Sequence, residues 1–185
     1  ESQCGNCGAI NQVFVIASTN VFGSPDLDLR PAEMARSTLS YQIQICSNCS
    51  YCAPDISSFG DALKKVIESR EYLDILGRGN SPELVNQFLA YALLMSSQNN
   101  WEDAAWASLK AAWVGDDENN PIRLETREMA SELFGKALQA RALDLEERTS
   151  LQCVLVDLYR ITEKDDMARQ MINEILTDHP YFGAR

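Results

Sequence analysis

The chain has 185 residues, of which 45% are hydrophobic and 23% are charged, a composition that is typical of a folded globular protein. Its formal net charge of -11 disfavours general binding to nucleic-acid phosphates and to anionic lipid surfaces. The sequence has no run of 18 apolar residues, so we expect no membrane-spanning helix.

The first 54 residues have the pattern of strands and turns. The apolar run at 13–16 predicts a short buried strand, and residues 41–45 alternate apolar and polar side chains as a half-buried strand does. Between them, the sequence Gly-Ser-Pro-Asp at 23–26 favours a turn, and residues 31–38 have room for one short helical turn.

Two C-x-x-C pairs lie beside these predicted strands, Cys4 with Cys7 and Cys46 with Cys49. Tetrahedral tetrathiolate zinc needs four sulfur atoms at about 2.3 Å from the metal, and two tight knuckle turns can present them. Gly8 follows the first pair, where a left-handed backbone is often required, whereas no glycine follows the second pair. The spacing predicts a zinc ribbon in which the four cysteines hold a structural zinc ion, with iron in the same sulfur cage as the alternative.

Other uses of the cysteines fit the spacing less well. A catalytic zinc site keeps an open coordination position, which four cysteines would close. A dithiol redox site favours a single C-x-x-C at the start of a helix. Cys52 is an alternative ligand or a free thiol, and Cys153 falls in the apolar pattern of a helix, which predicts a small core residue. Because a reducing compartment keeps such thiols available for metal, we expect the protein to be cytoplasmic.

Residues 26–31 and two tryptophans are candidates for structural roles. We expect Leu27 and Leu29 to cover the ribbon, and Arg30 to pair with a nearby carboxylate. Trp106 and Trp113 are seven residues apart on one face of a predicted helix, which favours packing between helices.

After Pro54 the hydrophobic period becomes that of helices. Capping residues, glycines and prolines predict six helices, which begin near residues 57, 81, 101, 120, 144 and 166. Asp144 and Glu147 have the spacing of a capping box. Short loops between these helices predict an all-α stack.

Two parts of this helical region match the tetratricopeptide pattern, in which helix pairs repeat at about 34 residues. The first match includes Phe88, Tyr91 and Ala92, and the second includes Leu155 and Tyr159. The segment between them has the pattern of one long helix, so the array is irregular. An ordinary helical bundle is the alternative.

The predicted fold class is therefore mainly α, with a small N-terminal β zinc ribbon followed by an all-α tetratricopeptide-like helical repeat stack. We expect two domains: a zinc-ribbon-like metal-binding module at 1–54 and a tetratricopeptide-like helical domain at 55–185.

Four features of the sequence together resemble a known family. They are Cys4-x-x-Cys7-Gly8, Asp26-x-Asp28-Leu29-Arg30-Pro31, Cys46-x-x-Cys49-Ser50-Tyr51 and Leu158-Tyr159-Arg160. The family consists of uncharacterised, mainly bacterial proteins that share a domain of unknown function, in which zinc-ribbon-like cysteines precede tetratricopeptide-like helices. The resemblance implies this architecture over most of the chain, and it implies no activity.

No enzyme motif is recognisable, since the sequence lacks a P-loop, G-x-G-x-x-G and G-x-S-x-G. The single histidine, His179, follows a predicted helix end, a position that is typical of a helix-terminal cation and not of a general base. We therefore predict a non-enzymatic zinc-binding scaffold that binds a protein or peptide partner. In the tetratricopeptide register its partner-binding groove comprises Asn86, Leu89, Leu93, Asp157 and Arg160.

Two other functions are alternatives. A zinc ribbon can bind nucleic acid, but the formal net charge of residues 1–54 is -2, which disfavours phosphate contacts. An enzyme with a site at the junction of ribbon and helices would need a cleft that contains perturbed carboxylates, such as Asp55 or Asp61.

Overall fold

A computed structural model describes residues 1–140 and 143–178 of the chain. It shows a mainly helical protein with two small antiparallel sheets in its N-terminal part. The prediction for His179 lies outside the described residues.

Each sheet is a two-stranded hairpin whose loop carries one cysteine pair. Strand β1 (Ser2–Gln3) pairs with β2 (Ile10–Asn11), and β3 (Gln44–Ile45) pairs with β4 (Cys52–Ala53). The loops 4–9 and 46–51 are thus equal in length, and each begins with a cysteine.

The predicted strand at 13–16 is wrong. This segment has no regular structure, and Phe14 and Val15 are 78% and 73% exposed. Among the residues that the structure describes, no strand pairs with this run, so its backbone groups form no sheet hydrogen bonds. The predicted strand at 41–45 is confirmed only at its C-terminal end, because Tyr41 is the last residue of a 3-10 helix at Ala35–Tyr41.

In the described part of the chain, the α-helices follow β4. A 3-10 turn at Asp61–Leu63 precedes α1 (Lys64–Ile67), α2 (Arg70–Leu76), α3 (Glu83–Ser97), α4 (Trp101–Asp117), α5 (Ile122–Ala140), α6 (Leu145–Ile161) and α7 (Asp165–Asp178). None of these helices combines the length and the apolarity that crossing a membrane would require.

Local sequence explains several of the helix boundaries. The Asp144 carboxylate accepts a hydrogen bond from the Glu147 backbone N–H at 2.9 Å, and the Glu147 carboxylate accepts one from the Asp144 N–H at 3.3 Å. This confirms the predicted capping box. The predicted helix at 57–76 is interrupted instead, because Ser69 caps a new helix by accepting a hydrogen bond from the Tyr72 N–H.

Consecutive helices from α2 to α7 pack on one another. Trp106 of α4 packs edge-on against Phe134 of α5, with the ring centroids 4.9 Å apart. Gly115 lies within α4 where the two helices approach closely: a Cβ there would lie 3.0 Å from the Cβ of Arg123. Repeat stacks and ordinary bundles share this neighbour-on-neighbour packing, so the tetratricopeptide-like arrangement stays a prediction.

One hydrophobic core extends through both parts of the chain. Leu39 and Tyr51, before Pro54, belong to the same cluster of buried residues as Phe88 and Leu155 of the helices. The division of the chain after Pro54 stays a prediction, because packing alone does not establish whether two parts unfold separately.

Candidate metal centre

The two cysteine loops have the same backbone hydrogen bonds. In the first loop, the Gly8 N–H donates to the Cys4 carbonyl at 2.8 Å, and the Cys4 N–H donates to the Ala9 carbonyl at 2.9 Å. The loop at 46–51 repeats both bonds at its equivalent positions, each at 2.9 Å. Two copies of one tight turn therefore present the cysteines.

Both loops place a residue with a left-handed backbone directly after the second cysteine. Gly8 has φ of 74°, which glycine adopts freely, and Ser50 has φ of 59° at the equivalent position. A left-handed backbone costs a residue with a Cβ about 1 kcal/mol. The second loop thus forms the knuckle turn without the glycine that the first loop has.

The loops bring the sulfur atoms of Cys4, Cys7, Cys46 and Cys49 within 4.8 Å of one another, and all four cysteines are free of disulfides. The Cys4 and Cys49 sulfurs are 3.7 Å apart, and the Cys7 and Cys46 sulfurs are 3.6 Å apart. A tetrahedral site with metal–sulfur bonds of about 2.3 Å has edges of about 3.8 Å. The four cysteines could therefore bind a metal ion such as zinc.

The four thiols differ in how readily they ionise. Burial raises the pKa of Cys4 to about 12, and burial also raises the pKa of Cys49. Burial opposes ionisation of Cys46, but the backbone N–H groups of Cys49 and Asn48 and the neighbouring thiols outweigh it and lower the pKa to about 6. A hydrogen bond from the Asn48 side chain lowers the pKa of Cys7. A bound divalent cation would supply the positive charge that favours ionisation of Cys4 and Cys49, the two thiols whose pKa is raised.

Asn11 connects the two loops and is a site residue that no sequence motif indicates. Its side-chain amide nitrogen donates to the Ala9 carbonyl at 3.0 Å and to the Cys46 sulfur at 3.6 Å. Its amide oxygen accepts hydrogen bonds from the Ser47 backbone N–H and hydroxyl, both at 2.9 Å. Residues behind the ligands often orient a metal site in this way. A lone asparagine after a short strand gave no signal for this role.

The first loop packs closely on the segment that follows Pro54. The Gly5 N–H donates to the Ile56 carbonyl at 2.9 Å. A Cβ on Gly5 would lie 2.6 Å from the Ser57 carbonyl oxygen and 2.7 Å from the Phe59 Cβ. Glycine is therefore required at this position for a steric reason.

The second loop is held by the hydroxyl of Tyr72, a fully buried residue of α2. This hydroxyl donates to the Ser50 carbonyl at 2.8 Å and accepts from the Cys52 N–H at 3.0 Å. The Cys52 thiol is also fully buried, points toward the Ser50 carbonyl and lies outside the sulfur cluster. Burial raises the pKa of Cys52 to about 12. Cys52 is thus a core residue and not a further ligand.

The segment 26–31 is attached to the helices by buried charge. The predicted pairing of Arg30 is confirmed, since its guanidinium lies 2.5 Å from the carboxylate of Asp117 on α4. The predicted covering role of the leucines is wrong, since Leu27 is 72% exposed and Leu29 is 42% exposed. The buried guanidinium of Arg30 therefore attaches this segment to α4.

The five residues predicted to line a partner groove differ in accessibility. Asn86 and Leu89 are each only 2% exposed, which corrects their assignment to a binding surface. The Asn86 amide is occupied by hydrogen bonds at the start of α3, and Leu89 packs in the core. Asp157 is buried and pairs with Arg160 at 2.7 Å, Leu93 is partly buried, and Arg160 is exposed.

An apolar cleft of about 330 Å³ lies between α6 and α7, next to the Asp157–Arg160 pair. It is lined by Leu27, Cys153, Val156, Asp157, Arg160, Ile172, Ile175 and Leu176. The prediction that Cys153 is a core residue is wrong, because its side chain is on the exposed face of α6. Helical periodicity alone did not show which apolar positions of α6 a neighbouring helix covers.

The two carboxylates considered for a junction enzyme, Asp55 and Asp61, are both exposed. A hydrogen bond from the Ser57 side chain, together with one from the Ser57 backbone, lowers the pKa of Asp55. This is opposite to the raised pKa of a typical general acid.

No protein-family model matches the chain, and neither a curated protein nor a solved structure is similar to it at a significant level. The sulfur cluster is compatible with a zinc-ribbon-like site, and the proposed family relationship stays a resemblance.

Proposed function

We propose that the protein is a non-enzymatic scaffold in which a structural zinc ion, held by Cys4, Cys7, Cys46 and Cys49, joins two cysteine loops. The sulfur geometry carries this proposal, since the cross-loop distances of 3.6 Å and 3.7 Å lie close to the edge of a zinc tetrathiolate. Four cysteine ligands complete the tetrahedral shell. The ion would therefore stabilise the fold, with no open position for a substrate.

The same four thiolates would hold zinc or iron, and we propose zinc because a closed tetrahedral cysteine shell is typical of structural zinc sites. A zinc site needs cysteines that are not oxidised to disulfides, and a reducing compartment keeps them so. We infer a cytoplasmic location from this chemistry.

Metal analysis of the purified full chain tests the proposal. In reducing buffer we expect about one zinc per chain, and cobalt substitution should give the visible absorption of a tetrahedral cobalt thiolate. Cys46→Ser should lose the metal, whereas the matched control Cys153→Ser should retain it. A wild-type chain without metal, or one that contains iron, would contradict a zinc role.

We further propose that the helices, which we regard as tetratricopeptide-like, bind a peptide segment of a protein partner in the cleft between α6 and α7. Ile172, Ile175 and Leu176 supply apolar contacts there, and the acidic chain favours a peptide with basic residues at its ends. Arg160, from the predicted partner surface, lies at the edge of this cleft.

Peptide arrays with apolar centres and either basic or acidic flanks test this binding. The basic set should bind more strongly and lose affinity as salt rises. Ile172→Asp should weaken binding without changing the zinc content. Met167→Asp is the control, because Met167 is similarly exposed on α7 and does not line the cleft. Equal binding by the two variants, or stronger binding of acidic peptides, would contradict the proposal.

A further inference from the structure

The five lysines of the chain have different surroundings. Lys64 and Lys65 are exposed on α1. The ammonium of Lys136 lies over the Trp101 ring at 4.9 Å from its centroid, and Lys164 pairs with a glutamate at 3.4 Å. Lys110 is partly buried on α4 and forms no ion pair within 4.0 Å among the described residues. Lys110 thus differs from the other four lysines in being both enclosed and without a carboxylate partner at this distance.

Lys110 lines a small cavity of about 90 Å³ at the junction of the N-terminal part and the helices. Phe88 and Trp106 form aromatic walls, Tyr91 contributes a phenol, and Gln42 contributes an amide from the N-terminal side. The cavity thus combines the Lys110 amine, a phenol, an amide and the Asp103 carboxylate with apolar walls, a mixture of groups that is typical of a small-molecule site.

The carboxylate of this cavity, that of Asp103, forms no ion pair within 4.0 Å with Lys110. Asp103 precedes Lys110 by seven residues on α4, a rise of about 10.5 Å along the helix axis. Its carboxylate accepts a hydrogen bond from the Asn100 side chain at 2.6 Å, near the start of the helix. Burial lowers the pKa of Lys110, although Asp103 opposes this effect. Burial also raises the pKa of Tyr91, so its phenol stays protonated and able to donate.

We propose that this cavity binds a small aldehyde or ketone and that the Lys110 amine forms an imine with it. The amine nitrogen bonds to the carbonyl carbon, and the carbonyl π electrons move to the oxygen. A proton passes from the nitrogen to that oxygen, where the Tyr91 hydroxyl can donate a hydrogen bond. The nitrogen then gives its second hydrogen to the same oxygen. Water leaves, and the C=N bond forms. No oxidant or reductant takes part in these steps.

Reductive trapping on the folded, metal-loaded chain tests the proposal. The protein is incubated with glycolaldehyde and cyanoborohydride near neutral pH, and the modified fraction of each lysine is measured by peptide mass spectrometry. We expect Lys110 to be modified faster than Lys64, Lys65 and Lys136, and its rate to saturate with glycolaldehyde concentration. The rates at the exposed Lys64 and Lys65 should rise linearly.

Two comparisons separate a binding cavity from a lysine that is simply reactive or simply shielded. In urea, the rate advantage of Lys110 should disappear. Tyr91→Phe should slow trapping at Lys110 and leave the rate at Lys64 unchanged. A folded chain in which Lys110 reacts no faster than the exposed lysines, or reacts faster but without saturation, would overturn the proposal. Neither readout depends on partner binding or on the identity of the metal.

Discussion

The indole N–H of Trp113 donates a hydrogen bond of 2.7 Å to the carboxylate of Asp28, a residue 85 positions earlier in the chain. Both residues are buried. The guanidinium of Arg127 lies 3.7 Å from this carboxylate and also pairs with Asp116. The long loop between the two cysteine pairs is therefore fixed to α4 and α5 by a buried polar contact.

Asp28→Ala should destabilise the protein by about 3 kcal/mol, because it leaves the Trp113 N–H and part of the Arg127 charge without a buried partner. Urea unfolding measures this change. Asp26→Ala is the matched control, since Asp26 pairs with Arg36 at a more exposed position and should cost at most about 1 kcal/mol. Similar losses in the two variants would show that the buried contact contributes little.

Gly5→Ala should destabilise the contact between the first cysteine loop and residues 56–59 by about 1–3 kcal/mol, because its Cβ would overlap the Ser57 carbonyl and Phe59. Denaturant unfolding and hydrogen exchange across 1–11 would detect the change. Gly79→Ala provides the control, since a Cβ there meets no atom within 4 Å. Unchanged exchange in Gly5→Ala would mean that the loop can shift without cost.

Asn11→Ala should weaken zinc binding by roughly tenfold or more, because it removes the hydrogen bond to the Cys46 sulfur and the two that hold Ser47. Competition with a chromophoric chelator gives the affinity. Gln12→Ala, at the exposed neighbouring residue, should bind zinc as the wild type does. If Asn11→Ala kept full affinity, the amide would have no role in positioning the ligands.

Cys46→Ser should loosen the N-terminal part while α3 to α6 stay folded, because those helices bury apolar faces against one another. Hydrogen exchange should rise across residues 1–56, and far-ultraviolet circular dichroism should change little. The control Cys153→Ser should leave both unchanged. Loss of the helical signal in Cys46→Ser would show that the chain folds as one unit and would contradict the predicted division after Pro54.

The sequence was most informative where the structure depends on local chemistry. Two C-x-x-C pairs with equal spacing predicted the sulfur cluster, because each tight loop is specified by six consecutive residues. The capping box at Asp144 and Glu147 was predictable for the same reason, since its two hydrogen bonds join residues three apart.

The sequence was least informative where distant segments decide the outcome. Nothing near residue 13 shows that the apolar run there lacks a partner strand, and nothing near Asn11 shows that Ser47 will lie beside it. The assignment of Asn86 and Leu89 to a groove assumed a repeat register, and α3 instead buries both residues. Which face of a helix is covered depends on tertiary packing, which periodicity does not determine.

A metal ion on the two cysteine loops would close a large ring in the chain, since Cys4 and Cys49 are 45 residues apart in sequence. Closing such a ring removes conformational entropy from the chain, and the bound ion would maintain the closure together with the hydrogen bonds of Asn11 across the loops. The metal-dependent part of the free energy of closure would then follow the free zinc concentration, rising by about 1.4 kcal/mol for each tenfold increase above the dissociation constant. The lifetime of this N-terminal segment against proteolysis would thus report how much zinc is available to the protein.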